Sequence, residues 1–377
     1  MKLSRFLSAI ISMTLVSVST NFLPPQNVSA TTETILLGDV SDGDGVTAKD
    51  ALWIQRYLRG EVTATPRQLT AMDINEDGVI DNTDVQTLLF KIGNGGGFSY
   101  VSKELYTVPN NATMTYYKHN CSSTDTSQYT QYTIQAATNY PVSTTNASTI
   151  NSPINLGDDE LDNENIECVE LVMVDSNNNT YIGSGIVVDN NVIATAAHCL
   201  FSGNKFMKSV TINFYNEDCT ELEFSTTAKN IHIPANYASS GSSNYDYGFI
   251  YVDDNLSGYI ANVGIMTNQF MSSSQILTSS GFTLHDPFPD FTRYYSSGEV
   301  VQLNSNYRFE SEGYAYGGKS GGMTYFESTS HPTSTHTIST KSCVGICTHR
   351  VTATGYTRGI RLTTTVLRFL YQNSYLN

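Results

Sequence analysis

The sequence predicts a multidomain chain, in which a small all-α module precedes a larger all-β domain folded as two packed barrels. Three features carry this prediction. Residues 37–60 and 72–94 repeat one another as a loop followed by an apolar periodic segment, with 34 positions separating Asp39 from Asp73 and Asp50 from Asp84. From about residue 154 the chain shows short apolar or alternating runs broken by Asn, Gly, Ser and Asp, the punctuation of strands. Between the two lies Gly93-Asn94-Gly95-Gly96-Gly97, too flexible to continue a helix or carry a packed strand.

Taken in order, the chain begins with Lys2 and Arg5, a largely apolar stretch from Phe6 to Val18, and small residues suited to cleavage at Val28-Ser29-Ala30. Residues 1–30 therefore read as a signal peptide. Ser8, Ser12 and Thr14 interrupt the apolar run, which falls short of the roughly 20 residues that span a bilayer, and no later stretch approaches that length. A secreted, extracellular protein is expected. The formal charge of −15 repels nucleic acid and anionic membrane, so neither is an expected partner. The six cysteines permit disulfides in an exported chain without choosing a pairing, and Cys343-x3-Cys347 lacks the histidine partners of a zinc site.

In the second copy of the repeat, Asp73-x-Asn75-x-Asp77-Gly78-x-Ile80-Asp81-x-x-Asp84 puts oxygen side chains at loop positions 1, 3, 5, 9 and 12, with glycine at 6 for the sharp turn. With the Val79 carbonyl, the set Asp73, Asn75, Asp77, Val79, Asp81 and Asp84 is the hard-oxygen environment that calcium prefers. The first copy has Gly43 and Asp44 in the reverse order, which leaves Asp39, Ser41 and Asp50 as its candidate ligands. Each loop leads into a short amphipathic helix, Ala51 to Leu58 in one copy and Val85 to Ile92 in the other. Gly38 and Met72 stand close before the loops, and aspartate ends each loop where an EF-hand usually has glutamate. This paired pattern resembles a type I dockerin over about residues 37–94. The resemblance implies structural calcium, a cohesin domain of a scaffolding protein as partner, and a cellulosome-type assembly at or near the cell surface. Positions 10 and 11, which help dockerins select a cohesin, read Ala48-Lys49 in one copy and Asn82-Thr83 in the other, so one preferred docking mode is expected.

Residues 95–153 are rich in Ser, Thr, Asn and Tyr with few aliphatic residues, consistent with a linker, a pro-segment or a few strands packed on the next domain. Strand-like runs follow within 154–377 at Cys168 to Val174, Gly185 to Ala194, Val210 to Tyr215, Tyr247 to Val252 and Val344 to Cys347.

Three segments of this region carry chemistry. Val192-Ile193-Ala194-Thr195-Ala196-Ala197-His198-Cys199 follows Gly183-Ser184-Gly185; Asn244-Tyr245-Asp246-Tyr247 precedes another apolar run; Gly317-Gly318-Lys319-Ser320-Gly321-Gly322 is a glycine-rich turn. A serine hydroxyl becomes a useful nucleophile only beside a base, and the base needs a carboxylate to fix its tautomer. The three motifs, in the order His, Asp, Ser, resemble those of chymotrypsin-like serine peptidases. The resemblance implies His198, Asp246 and Ser320 as catalytic triad, the backbone N–H groups of Gly318 and Ser320 as oxyanion hole, peptide or protein substrates, and no cofactor for catalysis. Leu156-Gly157-Asp158-Asp159 and the Gly-Ser-Gly before His198 resemble the bacterial glutamyl-endopeptidase-like, or V8-like, branch. Ala315 and Cys347 replace the two polar residues that hold a substrate carboxylate there, and His349 stands two residues on, so these three are the candidate pocket residues. The leading expectation is a secreted serine endopeptidase tethered to a scaffold; the alternative is a catalytically silent peptidase fold docked on the same scaffold.

Overall fold

Two helix starts are fixed by the same local chemistry. Thr47 caps the helix Ala48–Leu58, its Oγ1 accepting the Lys49 N–H while the Asp50 carboxylate reaches back to the Thr47 N–H. Asp81 and Asp84 do the same for the helix Asn82–Gly93. A further helix, Pro66–Met72, is capped by Thr65 and carries proline in its first turn. The repeat does not foretell it, because it falls in the spacer between the copies. Ile54, Tyr57 and Leu58 of the first helix and Val85 and Leu88 of the second are buried with Ile35, Ala71, Met72 and Ile74. The computed structural model describes residues 29–107 apart from 42 and 44, then 113–135, 160–267 apart from 163, 275–285, 288–304, 308–351 and 355–371. The leader expected at 1–30 lies outside these but for its last two residues, and the motif at 156–159 lies outside them entirely.

Beyond the glycine run the chain turns back on the module. Tyr100–Thr107 pairs antiparallel with Ser29–Leu36, from Leu36 opposite Tyr100 to Ser29 opposite Thr107. Thr113–Asn120 and Thr130–Gln135 form a hairpin whose first strand pairs with Asn230–Pro234. The stretch 95–153 thus supplies three strands, and its residues 108–112 and 136–153 lie outside the described residues. Aromatic rings provide the apolar area that aliphatic residues do not: Tyr116 is fully buried, its ring 3.9 Å from that of Phe369 and 5.7 Å from that of Tyr132.

The remainder is almost wholly antiparallel β-structure. One sheet of nine strands runs in the spatial order Leu222–Thr227, Ser209–Tyr215, Cys168–Val174, Thr180–Asp189, Val192–Thr195, Gly248–Tyr251, Asn230–Pro234, Thr113–Asn120, Thr130–Gln135. The Ala228 N–H donates to the Val210 carbonyl (2.9 Å), extending the pairing of the first two of these strands by one step. The second sheet closes on itself. Ile276–His285 pairs with both Met323–Thr333 and Phe288–Asn304, and the ring is completed by His336–Arg350, Tyr356–Arg361 and Arg308–Tyr314. This is the largely β, two-part arrangement that the strand pattern predicts. The expected strands overlie observed ones, with the run at 185–194 divided by a turn at Asn190-Asn191.

Leu171, Val187, Ile193, Ile212, Phe214, Ile231 and Ile250 fill the first sheet. A second apolar cluster runs without a break from the module helices through Tyr247 and Phe249 to Val366, Leu367, Phe369 and Leu370 of the final helix, Thr364–Tyr371. Burial of one such side chain contributes roughly 1.5–3 kcal/mol, so this continuity ties module and β-domain together energetically. Val79–Ile80, inside the second loop, adds a short antiparallel pairing with Ile265–Met266. Among the described residues no helix is long and apolar enough to cross a membrane.

Candidate active site

The strand Val192–Thr195 delivers the chain into a tight turn, Ala197–Cys199, which places His198 beside Asp246. Asp246 is held twice. Its Oδ2 lies 2.9 Å from His198 Nδ1, and its Oδ1 accepts the His198 backbone N–H, also at 2.9 Å. A carboxylate only accepts, so Nδ1 carries the hydrogen and Nε2 is the basic nitrogen. Burial works against a charged ring here, but the Cys199 sulfur and the Asp246 carboxylate outweigh it and hold His198 well above the ordinary histidine range. The His198 side chain is 36% exposed and that of Asp246 7%, so the base faces outward from a buried support.

Ser320 sits on the turn between Arg308–Tyr314 and Met323–Thr333. That turn is anchored by Ser184: its Oγ donates to the Gly318 carbonyl (2.9 Å) and accepts the Phe282 N–H (2.8 Å), and its backbone N–H donates to the Ser320 carbonyl (2.7 Å). Gly321 donates to the Cys347 carbonyl (2.7 Å). Its φ of +87° and the 2.1 Å that would separate a Cβ from the Ser184 carbonyl oxygen leave room only for glycine. The Sγ of Cys199 reaches the Ser320 carbonyl (3.6 Å), so the histidine and serine segments touch. The Ser320 hydroxyl itself donates to the Thr348 carbonyl (2.8 Å) rather than to His198. Lys319, Gly321 and Gly322 donate their N–H groups to Tyr316, Cys347 and Lys319 carbonyls, whereas among the described residues those of Gly318 and Ser320 have no partner. Two unengaged donors, one on either side of Lys319 on a glycine turn, are the kind of group that a developing oxyanion requires. The Lys319 side chain turns away into the closed sheet, fully buried, with Nζ on Ser296 Oγ (2.9 Å).

Of the three candidate pocket residues, Ala315 is buried and Cys347 fully so, while His349 is half-buried. His349 Nδ1 lies 3.0 Å from Thr348 Oγ1, and its Nε2 lies 3.3 Å from Arg358 Nη1. Burial and the Arg358 charge hold its ring below the ordinary range. Arg358 is in turn paired with Glu310 (Nε to Oε1 2.8 Å), and Arg308 donates to Ser243 Oγ (2.7 Å), three residues ahead of Asp246. Sequence reasoning missed this basic cluster, because its members come from separate strands with no common spacing. It also missed Ser184 as a support, though the flanking Gly183 and Gly185 carry a signal: a Cβ at Gly185 would lie 2.6 Å from Ile193.

In the second loop, Asp84 Oδ1 accepts the Ile74 N–H (2.7 Å), Asp73 Oδ2 the Gly78 N–H (3.1 Å) and Asp77 Oδ1 the Val79 N–H (2.8 Å). Asp73 Oδ1 is buried without a partner among the described residues. Burial and neighbouring carboxylates push Asp73 up to about 8, and burial likewise raises Asp77, Asp81 and Asp84. A buried carboxyl oxygen without a partner, set among the oxygens of Asp77, Asp81 and Asp84, fits a cation, although no three acidic side chains among the described residues already converge as a cage. In the first loop Asp50 spends both oxygens on Val40, Ser41 and Thr47, and Asp39 pairs with Arg67 (3.2 Å).

Fold and sequence together give a largely β, trypsin-like serine peptidase domain preceded by a dockerin-type α-helical unit. Residues 164–324 match the family model described as Trypsin, and residues 37–92 match the Dockerin type I domain. Within the chymotrypsin-like peptidases the chain resembles the V8-like branch. A glutamyl endopeptidase of Bacillus licheniformis is 25% identical over 192 residues, which cover 48% of this chain and 57% of that protein. The chain therefore spans little more than half the length of that curated relative. Among solved structures, a Glu endopeptidase in complex with MPD aligns at 15% identity over 59% of this chain and 99% of its own, with a TM-score of 0.45. The protease Anisep from Arthrobacter nicotinovorans aligns at 17% identity over 58% of this chain and 100% of its own, also with a TM-score of 0.45.

Proposed function

We propose that this protein is a secreted serine endopeptidase that cleaves peptide bonds through an acyl-enzyme and is tethered by its dockerin-type module, with calcium, to a cohesin-bearing scaffold. The observation that carries the catalytic reading is the double hold of Asp246 on His198, beside a glycine turn that presents Ser320 and two unengaged N–H donors. In this reading the Ser320 hydroxyl turns from the Thr348 carbonyl to His198. Its oxygen attacks the substrate carbonyl carbon as its proton passes to His198 Nε2, and Asp246 stabilises the imidazolium. The N–H groups of Gly318 and Ser320 hold the oxyanion; loss of one such donor typically costs about 100- to 1,000-fold in rate. The tetrahedral species collapses, His198 gives its proton to the leaving amine, and water repeats the sequence on the ester. Of the candidate pocket residues, Ala315 and Cys347 are buried and His349 is the one a substrate side chain would meet, with the charges of Arg358 and Arg308 near it as the groups that would attract a negative one.

Asp73, Asn75, Asp77, the Val79 carbonyl, Asp81 and Asp84 would hold the calcium ion of the second loop, and the ion's role there is structural. In the first loop Asp39 Oδ1 is likewise buried without a partner among the described residues, while its Oδ2 pairs with Arg67, so a cation there would share Asp39 with that guanidinium. One observation favours a second reading, a silent binding fold: the Ser320 hydroxyl is engaged with Thr348. A fluorophosphonate probe separates the two. Covalent labelling of Ser320, lost in Ser320→Ala, is expected of the enzyme; a folded protein that takes no label at any pH from 6 to 10 is the silent fold.

A further inference from the structure

The two copies of the repeat meet different surroundings. In the first, Arg67 of the module's own helix closes on Asp39, and Ala48, Lys49 and Leu52 of the capped helix face outward and are exposed. In the second, the polar side chains are taken up by the β-domain. Asp81 Oδ2 accepts from Ser342 Oγ (2.6 Å) and Thr340 Oγ1 (3.3 Å), and Asp77 accepts from Ser328 Oγ. The Thr83 and Thr340 hydroxyls meet, and Asn82 donates to Asn262 Oδ1 (2.6 Å). Backbone joins in: Val79–Ile80 pairs with Ile265–Met266, Thr267 donates to the Gly78 carbonyl (3.0 Å), and Gln275 Nε2 donates to the Asp77 carbonyl (2.6 Å). Phe90, at the far end of the second helix, stacks on His336 with 4.3 Å between rings.

We propose that the second loop–helix unit is a docking surface whose occupant is the chain's own hairpin, Met323–Thr333 with His336–Arg350, so that a divalent cation in the second loop stabilises the β-domain as well as the module. The inference rests on the reading of that loop as a calcium site. The hairpin presents a matching row of hydroxyls. Ser328 lies opposite Thr340 in register, and Ser342 is two residues on, so all three fall on one face. Asp77 and Asp81 then serve two partners, the ion on one side and these hydroxyls on the other. An ion that fixes the carboxylates fixes the seat of the hairpin, and by linkage a seated hairpin tightens the loop's hold on the ion.

The test uses the full chain in calcium chloride or in chelator. Calcium is expected to slow amide hydrogen exchange across residues 323–346 and to raise one shared calorimetric unfolding transition by about 4 °C or more. A Ser328→Ala, Thr340→Val, Ser342→Ala variant is expected to bind calcium about fivefold more weakly or worse by titration calorimetry. If the wild-type chain binds calcium, yet exchange over 323–346 is unchanged and calcium moves only a separate, smaller transition, the coupling is wrong. If the wild-type chain binds no calcium at all, the reading of the loop is wrong and the proposal goes with it. Should the variant fail to fold, the exchange measurement on the wild-type chain decides alone.

Discussion

The Ser184 hydroxyl donates to the Gly318 carbonyl at 2.9 Å, which fixes the peptide that enters the nucleophile turn. Ser184 is fully buried and also accepts the Phe282 N–H, so its removal leaves two polar groups unsatisfied. Ser184→Ala is expected to destabilise the fold by about 1–3 kcal/mol. Displacement of the turn is expected to lower kcat roughly 10- to 100-fold with KM little changed. A variant with wild-type kcat, measured where it is fully folded, would show that the turn holds its shape without Ser184.

With His198 as the base of the proposed reaction, its protonation sets the pH dependence. A raised ring value means that the base is protonated, and inactive, until the pH climbs above the ordinary histidine range near 6.5. kcat/KM is therefore expected to rise from pH 7 towards pH 9 rather than level off near 7. Asp246→Asn removes the supporting charge and is expected to shift that rise to lower pH while reducing the plateau by about 10⁴-fold. A wild-type profile already flat above pH 6.5 contradicts the assignment.

Asp162 and Arg293 form a buried pair, with side chains 1% and 0% exposed and Nε to Oδ2 at 3.8 Å. Burial works against the Asp162 charge, but Arg293 and the Ser280 and Asn165 hydrogen bonds overcome it and hold the carboxyl below 3.8. A depressed carboxyl stabilises the fold above its unfolded value and loses that contribution as pH falls through the lower, folded one. Asp162→Asn is expected to cost about 3–5 kcal/mol at neutral pH and to flatten the loss of Tm below pH 4. Equal acid sensitivity in both proteins would place the acid-labile group elsewhere.

Capture by cohesin domains in calcium should discriminate the two helices. Lys49 and Leu52 are exposed, Leu52 at 53%, whereas Thr83 is fully buried. Lys49→Glu with Leu52→Asp is expected to weaken capture about tenfold or more. Thr83→Ala is expected to lower Tm and leave capture alone. The reverse pattern would mean that the second helix is the one presented.

The segments of His198, Asp246 and Ser320, which the structure brings together, and the second loop stand out in the sequence because each packs its polar groups into a short stretch: Ala-Ala-His after a strand, glycine on both sides of a serine, oxygens at alternate positions. Ser184 was not, since a lone serine between glycines acquires its role only when Phe282 and Gly318 arrive from elsewhere. The cluster of His349, Arg358 and Arg308 likewise exists only through strand pairing. For residues 113–135 the sequence leaves linker, pro-segment and packed strands open because tyrosine and threonine replace aliphatic residues, yet a tyrosine also buries a large apolar area once another ring covers it. The module's commitment to the β-domain was invisible for a different reason: Ser328, Thr340 and Ser342 are ordinary strand hydroxyls until the loop is laid against them.

A module attached only by a flexible tether could be traded between genes by recombination at the tether. The pairing of Val79–Ile80 with Ile265–Met266 works against that exchange here. A break at the glycine run would leave Ile265–Met266 as a bare edge and vacate the place of Val79 among Met266, Leu277, Phe309 and Val344. Any substitute module would have to arrive with its own matching short strand, so loop and barrel are constrained to be inherited, and to drift, together.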